Sequence, residues 1–98
     1  MPVVVKFYSV FREIAKVDQI NLEAANDVES LLNILETRFG QMISEQLFDS
    51  KTSKLRNSVV ILVNGHSIKL GQGLKTKLST GDAVTADTVA IFEAVGGG

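Results

Sequence analysis

Three glycines, Gly96, Gly97 and Gly98, end the sequence, and the carboxylate of Gly98 is the candidate reacting group. Glycine has no Cβ, so a glycine run can pass through a narrow channel and leaves the last carbonyl carbon open to attack. No side chain remains there to hold the segment against a folded domain. We therefore predict one domain over residues 1–95, followed by a flexible glycine tail over residues 96–98.

The composition excludes most enzyme chemistry. The chain has 98 residues, no Cys and one His, His66. Disulfides, thiolate metal sites and thiol nucleophiles are therefore excluded, and so is any mechanism that pairs a Cys with a His. His66 follows a predicted tight turn, where we expect an exposed turn residue rather than a catalytic base. We expect a protein that is not an enzyme by itself and that holds no metal.

The charge pattern bears on partners and location. Lys and Arg number 10 against 11 Asp and Glu, a formal net charge of -1, and neither sign forms a run. Non-specific affinity for nucleic acid comes mainly from clustered Lys and Arg, so we expect no nucleic-acid partner. The apolar start of the chain ends at Lys6, far short of a signal sequence or a membrane span. We expect a cytoplasmic protein that does not bind membranes.

Hydrophobic periodicity predicts the elements that must position the tail. Residues 3–8 and 19–23 alternate as strands do, with a short helical turn over residues 9–15 between them. The first strand divides its side chains between two faces: Val3, Val5 and Phe7 on one, and Val4, Lys6 and Tyr8 on the other. Both faces are partly apolar, so we expect an interior strand that forms a hairpin with the second one.

The clearest helix runs from about Asp27 to Phe39. Its apolar residues recur at three- and four-residue spacing: Val28, Leu31, Leu32, Leu35 and Phe39. We predict Asn26 as the N-cap, Glu29 as its capping-box partner and Gly40 as the left-handed residue that ends the helix. A shorter helical segment is expected over residues 41–48, and a loop over residues 49–57.

The second half of the chain predicts the remaining strands. An interior strand is expected at Val59–Val63, a type I′ turn at Asn64-Gly65, a short return over residues 66–68 and a last strand over residues 89–95. The order of elements is strand, strand, helix, strand, short strand, strand. A mixed sheet covered on one face by one main helix is the simplest way to bury these apolar stripes. We therefore predict an α+β fold of the β-grasp type.

Three segments carry a family resemblance. Residues 6–13 combine a strand with an Arg-Glu pair, residues 60–65 end in Val-Asn-Gly, and residues 87–98 end in a diglycine. Together they resemble the MoaD/ThiS family of ubiquitin-like sulfur carriers, and most closely the small subunits of molybdopterin synthase within it. The segments occur in the family's order and span nearly the whole chain, and the tail carries most of the specificity.

The resemblance implies a carrier that works through other proteins. An E1-like activating enzyme would use ATP to adenylate the carboxylate of Gly98, and sulfur from a donor would then replace AMP to leave a thiocarboxylate. Gly96 and Gly97 would thread the tail into each partner's channel. No cofactor is expected on the chain, because ATP is used by the activating enzyme.

The resemblance also implies a docking face. The large subunit of molybdopterin synthase would receive the tail and transfer its sulfur to a pyranopterin. Tyr8 and Phe92 match aromatic positions on the sheet face used for docking, and Arg12 belongs to the Arg-Glu pair of the first matching segment. The alternative interpretation makes Tyr8 and Phe92 ordinary core aromatics and pairs Arg12 with Glu13 on the surface.

Two features depart from the family pattern. Glu93-Ala94 stands where the family has Pro-Pro after the final aromatic residue, which changes the exit direction of the tail. The family's Gly-Asp turn before the last strand occurs at Gly81-Asp82, but about five extra residues then precede Phe92. Ala86-Asp87 gives the better match to this turn, and both positions are kept as alternatives.

Three other functions remain open at this point. The first is a ubiquitin-like modifier that forms isopeptide bonds to lysines through the same activated tail. The second is a sulfur carrier for thiazole synthesis, although the length of the chain and Arg12-Glu13 weigh against it. The third is an interaction module of the β-grasp type, for which the tail would have no role.

Overall fold

The computed structural model describes residues 2–23 and 25–88. The predicted glycine tail at residues 96–98, the predicted strand over residues 89–95 and the predicted domain boundary at residue 95 lie outside the described residues and stay predictions. In the described ranges no helix is long and apolar enough to cross a membrane.

The strands of the described residues form one mixed sheet. They are β1 (Val3–Phe7), β2 (Gln19–Leu22), β3 (Val59–Val63), β4 (His66–Ser67) and β5 (Ala83–Thr88). Their order across the sheet is β2-β1-β5-β3-β4. β1 pairs antiparallel with β2 and parallel with β5, whereas β4 and β5 both pair antiparallel with β3. β1 and β3 are therefore interior strands, as predicted, and β5 is the central one.

Three helices accompany the sheet. They are α1 (Ser9–Ala15), α2 (Val28–Phe39) and α3 (Gln41–Leu47), and two short 3₁₀ turns follow β4 at Ile68–Leu70 and Gly73–Lys75. The three α-helices agree with the predicted helical segments to within a residue at each end. A mixed sheet with one main helix on it is the predicted α+β, β-grasp arrangement.

The core lies between the sheet and the helices. The predicted stripe of α2 is buried at Val28, Leu31, Leu32 and Leu35, and so is the predicted inner face of β1 at Val3, Val5 and Phe7. Phe39, at the end of α2, meets Phe7 edge-on, with ring centroids 5.6 Å apart and ring planes at 85°. Burying one such apolar side chain contributes roughly 1.5–3 kcal/mol, so α2 is held mainly by its packing on the sheet.

The N-terminal cap of α2 differs from the prediction. The helix begins at Val28, so Asp27 is the N-cap instead of Asn26, and the capping-box partner three residues on is Ser30 instead of Glu29. The Ser30 amide donates to Asp27 Oδ1 at 2.8 Å, and the Asp27 amide donates to Ser30 Oγ at 3.1 Å. These bonds satisfy two of the donors that a helix leaves unpaired at its start. Gly40 ends α2 with a positive φ of 85°, as predicted, but its ψ of -160° lies outside the left-handed helical region.

The position of the last described strand is also a correction. β5 occupies Ala83–Thr88 and follows a turn in which Gly81 has a φ of 89°. The Gly-Asp turn is therefore Gly81-Asp82, and Ala86-Asp87, which we preferred, lies inside β5. The segment was missed because its side chains are short or polar apart from Val84, so its alternation is weak in the sequence. Backbone pairing with β1 on one side and β3 on the other forms this strand.

The predicted hairpin between β3 and β4 is confirmed. Asn64 and Gly65 have φ values of 51° and 85°, the positive values that a type I′ turn needs at both central positions. His66 is exposed beside the turn, as expected.

Asn64 has a second role that turn chemistry does not predict. Its Nδ2 donates to Asp82 Oδ1 at 3.0 Å, and its Oδ1 accepts the Ala83 amide at 3.0 Å. Asp82 Oδ2 also accepts the Ser79 amide at 2.8 Å. The Ser79 amide above all, and then the Asn64 side chain, lower the pKa of Asp82 from its ordinary value. The hairpin turn thereby holds the beginning of β5.

Candidate functional site

The candidate site lies where β5 ends. Thr88 is the last described residue, and residues 89–98 follow it in the sequence. Phe92, Gly96, Gly97 and Gly98 therefore lie outside the described residues, and their predicted roles stay predictions. Of the predicted site residues, the structure describes Tyr8 and Arg12.

Tyr8 lies beside the end of β5. Because β1 and β5 are parallel, their carboxyl ends meet at the same edge of the sheet, where Phe7 pairs with Ala86. The Tyr8 amide donates to the Ala86 carbonyl at 3.0 Å, so the backbone of Tyr8 is fixed two residues before Thr88. Tyr8 is 43% exposed, which confirms the predicted surface position and excludes the core interpretation. The prediction that β1 includes Tyr8 is wrong, because Tyr8 is the N-cap of α1.

Arg12 lies one helical turn beyond Tyr8. Its Nη1 is 3.9 Å from Asp18 Oδ1, with the two side chains 58% and 86% exposed. Among the described residues Arg12 therefore forms its ion pair with Asp18. The alternative interpretation, which paired Arg12 with Glu13, is wrong. An exposed pair at this distance contributes little to stability, so the guanidinium can turn toward an anionic group on a partner at small cost.

The sheet face that does not carry the helices forms a mixed polar and apolar surface near Tyr8. Alternation along the strands places on it half-buried Val4, Val60, Leu62, Thr85 and Asp87, together with exposed Lys6. We call these six residues the outer sheet face. Apolar side chains with polar neighbours are typical of a protein-docking surface, and this one spans β1, β3 and β5, the last of which precedes the predicted glycine tail in the sequence.

Ser9 and Asp87 also belong to the site, and neither is among the site residues predicted from the sequence. Ser9 Oγ donates to Asp87 Oδ1 at 2.9 Å, across 78 residues of sequence, and the Thr88 amide donates to the same oxygen at 2.7 Å. Ser9 also has a positive φ of 53°, which is uncommon for a residue with a side chain. The signal that would have found this pair is the correct position of β5, which brings Asp87 within hydrogen-bond distance of the residue after Tyr8.

Nothing in residues 2–23 and 25–88 is arranged for metal chemistry. No group of three or more His, Asp or Glu side chains there could hold a metal ion. The described side chains near the end of β5 are the phenol of Tyr8, the guanidinium of Arg12, the hydroxyl of Ser9 and the half-buried carboxylate of Asp87. Their arrangement suits binding to another protein.

Comparison with known proteins decides the family. The sequence pattern of the ThiS family matches residues 5–98, which is nearly the whole chain and includes the three glycines. The chain belongs to the ThiS family. Proteins of this family are ubiquitin-like sulfur carriers and are not enzymes by themselves.

Solved structures agree with this membership. This ThiS-family chain is 26% identical to the small archaeal modifier protein 1 from Methanosarcina acetivorans, with a TM-score of 0.79 over 98% of this chain and 95% of that chain. It is 27% identical to CysO from Mycobacterium tuberculosis, with a TM-score of 0.77 over 90% of this chain and 99% of that chain.

A third structure shows a likeness of fold. It is the putative molybdopterin converting factor, subunit 1, from Pyrococcus furiosus, which is 24% identical, with a TM-score of 0.71 over 92% of this chain and 99% of that chain. A comparison with curated proteins found no match.

Proposed function

We propose that this chain is a sulfur carrier for molybdopterin synthesis, acting as the small subunit of molybdopterin synthase through a thiocarboxylate at Gly98. The observation that carries the proposal is that the ThiS-family match extends through residue 98 and so includes Gly96, Gly97 and Gly98. The similarity of fold to the Pyrococcus furiosus protein supports the molybdopterin branch.

Activation would take place in two steps on the carboxylate of Gly98. A carboxylate is a poor electrophile, so an E1-like enzyme first joins one of its oxygens to the α-phosphorus of ATP, and pyrophosphate leaves. A hydrosulfide equivalent from the sulfur donor then attacks the carbonyl carbon. The new C–S bond forms as the C–O bond to AMP breaks, and a thiocarboxylate remains.

The chain itself would contribute binding and orientation. Acid, base and oxyanion-binding groups would come from the partner enzymes, while the folded domain brings the tail to the reacting position. The proposed docking surface consists of Tyr8, Arg12 and the outer sheet face. It lies close to residue 88, because the Tyr8 amide bonds to the Ala86 carbonyl and the outer sheet face includes residues of β5. In the proposal Phe92 joins Tyr8 as a second aromatic anchor for the large subunit of molybdopterin synthase.

The second candidate function is that of a ubiquitin-like protein modifier. The chain resembles a small archaeal modifier protein at 26% identity and a TM-score of 0.79. A modifier would use the same acyl-adenylate but transfer the Gly98 carbonyl to the amine of a lysine, forming an isopeptide bond. The two functions differ in the final nucleophile, sulfur or amine, and not in the activation step.

The deciding experiment measures the intact mass of the chain after incubation with its activating enzyme, ATP and a sulfur donor. The expected result is the mass change for one oxygen replaced by sulfur at Gly98, followed by its loss when the large synthase subunit and a pyranopterin are added. A variant extended by one residue beyond Gly98 is the control, and it should fold normally and stay unmodified. A thiocarboxylate that the synthase never consumes, together with high-mass conjugates in cells that depend on Gly98, would favour the modifier.

A further inference from the structure

The hairpin turn at Asn64-Gly65 is chemically the most labile asparagine position of the chain. The backbone nitrogen of the residue after an Asn can attack the side-chain carbonyl carbon, Cγ, and Gly offers the least hindered nitrogen because it has no Cβ. The other asparagines are each followed by a residue with a side chain: Asn21-Leu22, Asn26-Asp27, Asn33-Ile34 and Asn57-Ser58. Both turn residues are exposed to water. A free side chain at Asn64 would therefore deamidate first.

Deamidation at this turn proceeds in two balanced steps. The Gly65 nitrogen forms a bond to Asn64 Cγ while the bond from Cγ to Nδ2 breaks. The proton of the Gly65 amide leaves with Nδ2 as ammonia, and a five-membered succinimide remains. Water then opens the ring at either of its two carbonyl carbons, which gives aspartate or isoaspartate at position 64. The first step requires the side-chain amide of Asn64 to turn toward the Gly65 nitrogen.

In the native fold the Asn64 side chain is held by another segment of the chain. Its Nδ2 donates to Asp82 Oδ1 at 3.0 Å, and its Oδ1 accepts the Ala83 amide at 3.0 Å. The two bonds engage both ends of the amide group and direct it toward the start of β5. Attack by Gly65 would make Cγ tetrahedral and expel Nδ2, which breaks the bond to Asp82. Deamidation therefore requires the turn to open first.

Asp82, which restrains Asn64, is itself fixed in place. Its Oδ2 accepts the Ser79 amide at 2.8 Å, and its own amide donates to the Ser79 carbonyl at 3.1 Å. The Asp82 carbonyl accepts the amide of Val4, in β1, at 2.9 Å. A local turn and the sheet thus hold the carboxylate at the position where it meets Asn64.

We propose that Asn64 is a deamidation site that the native fold keeps closed through Asp82 and Ala83, and that opening of the hairpin turn exposes it to irreversible modification. The inference concerns the folded domain and does not rest on the proposed function. The product cannot restore the closed state, because a carboxylate at position 64 has lost the Nδ2 donor and faces Asp82 as a like charge. Isoaspartate also lengthens the backbone of the turn by one carbon atom. Each opening thus risks permanent loss of the connection between the hairpin and β5.

The experiment measures the deamidation rate at each asparagine by peptide mapping and mass spectrometry, with the full chain incubated in mildly alkaline buffer. Asn57-Ser58 is the internal reference, because Asn57 is exposed and Ser58 carries only a small side chain. In denaturant Asn64 should convert faster than Asn57. In the native protein the ratio of the Asn64 rate to the Asn57 rate should fall about tenfold or more, since even a local opening of modest free energy protects to this degree.

Variants separate the local restraint from overall stability. Asp82→Ala should raise the native Asn64 rate toward its value in denaturant and leave the Asn57 rate unchanged. Asp82→Asn keeps an acceptor oxygen, so its rate should lie between those of the wild type and Asp82→Ala. Leu35→Ala weakens the core but leaves the bond between Asn64 and Asp82 in place. It should leave the rate ratio unchanged at a temperature where the variant is folded.

The effect of the modification is measured on a variant that carries one of its products. Asn64→Asp should lower the melting temperature by about 4 °C or more, because a hydrogen bond is replaced by two facing carboxylates. Asn57→Asp is the control and should leave the melting temperature nearly unchanged.

Three results would overturn the inference. A native rate ratio equal to the ratio in denaturant would show that the fold does not protect Asn64. Equal acceleration by Leu35→Ala and Asp82→Ala would assign the protection to global folding instead of the bond to Asp82. An unchanged melting temperature in Asn64→Asp would show that the modified turn still holds β5.

Discussion

At the scale of the residue, Tyr8 is the best-defined part of the proposed docking surface. It is an aromatic side chain at the surface, its backbone is tied to the central strand, and it lies beside the residues that lead to the tail. Interface energy is often concentrated in a few aromatic and Arg side chains, so Tyr8 and the neighbouring Arg12 are natural anchors.

Tyr8→Ala should weaken binding to the large synthase subunit by about 2 kcal/mol, roughly thirtyfold, because truncating an interface aromatic commonly costs that much. The melting temperature should fall only slightly, since Tyr8 is 43% exposed. Titration calorimetry and thermal melts measure the two effects.

Met42→Ala is the control for Tyr8→Ala. Met42 is an apolar residue on α3 that is 66% exposed, and its replacement should leave binding unchanged. A large loss of stability with unchanged affinity would make Tyr8 a structural residue. Phe92→Ala is expected to behave like Tyr8→Ala.

At the scale of the element, α2 is defined by one buried stripe and one cap. The stripe carries the packing energy, and the Asp27–Ser30 box sets the residue at which the helix begins. A second element-level connection is the bond network between the hairpin turn and the start of β5, at Asn64 and Asp82. Each of these contributions can be tested by itself.

Leu35→Ala should destabilise the domain by about 2–5 kcal/mol, because Leu35 is 1% exposed and its loss leaves a cavity between α2 and the sheet. Asn33 lies on the exposed side of the same helix, so Asn33→Ala should change the free energy of unfolding by less than about 0.5 kcal/mol. Urea denaturation of both variants measures the difference. A loss below about 0.5 kcal/mol for Leu35→Ala is what a surface substitution gives. Because a buried Leu→Ala change costs at least about 2 kcal/mol, such a small loss would contradict the packing of α2 on the sheet.

Acid should weaken the fold through two carboxyls. The pKa of Asp27 is lowered, chiefly by the Ser30 backbone amide, and the pKa of Asp82 is lowered, chiefly by the Ser79 backbone amide. A group whose pKa is lower in the folded than in the unfolded chain stabilises the fold above its unfolded pKa. That stabilisation is lost as the pH falls from the ordinary value of 3.8 through the folded values.

Denaturant titrations across the acid range test this dependence. The free energy of unfolding of the wild type should fall on acidification below about pH 4. A double variant with Asp27→Ala and Asp82→Ala should be less stable near neutral pH and should show a shallower fall in acid. Parallel curves for the two proteins would mean that other groups control the acid sensitivity.

At the scale of the whole molecule, the proposed function assigns partner binding to the folded domain and the chemical reaction to the glycine tail. A variant that lacks Gly97 and Gly98 should therefore bind the activating enzyme with a dissociation constant within about threefold of the wild-type value, because surface anchors on the domain supply most of the affinity. It should also inhibit activation of the wild type competitively. Binding and competition assays measure both effects, and a loss of affinity of about tenfold or more would assign the main binding energy to the tail.

Several features followed from the sequence alone because their causes are local. The apolar stripe of α2 repeats with the helical period, and the Asn64-Gly65 turn needs two residues that tolerate positive φ. The absence of Cys excludes thiol chemistry whatever the fold. The strand pattern and the three matching segments were enough to predict the β-grasp fold and the family. The cap of α2 was missed by one residue, which is the usual precision of a helix boundary.

The tertiary structure alone decided the features whose causes are distant in sequence. β5 has a weak pattern of its own and exists because β1 and β3 complete its backbone hydrogen bonds on both sides. Its position brings Asp87 to Ser9 across 78 residues and ties Asn64 to Asp82 across 18. Sequence periodicity reports which way a side chain faces within its own element, but not which residue of another element it will meet. That choice depends on strand register, which the packing of the whole sheet determines.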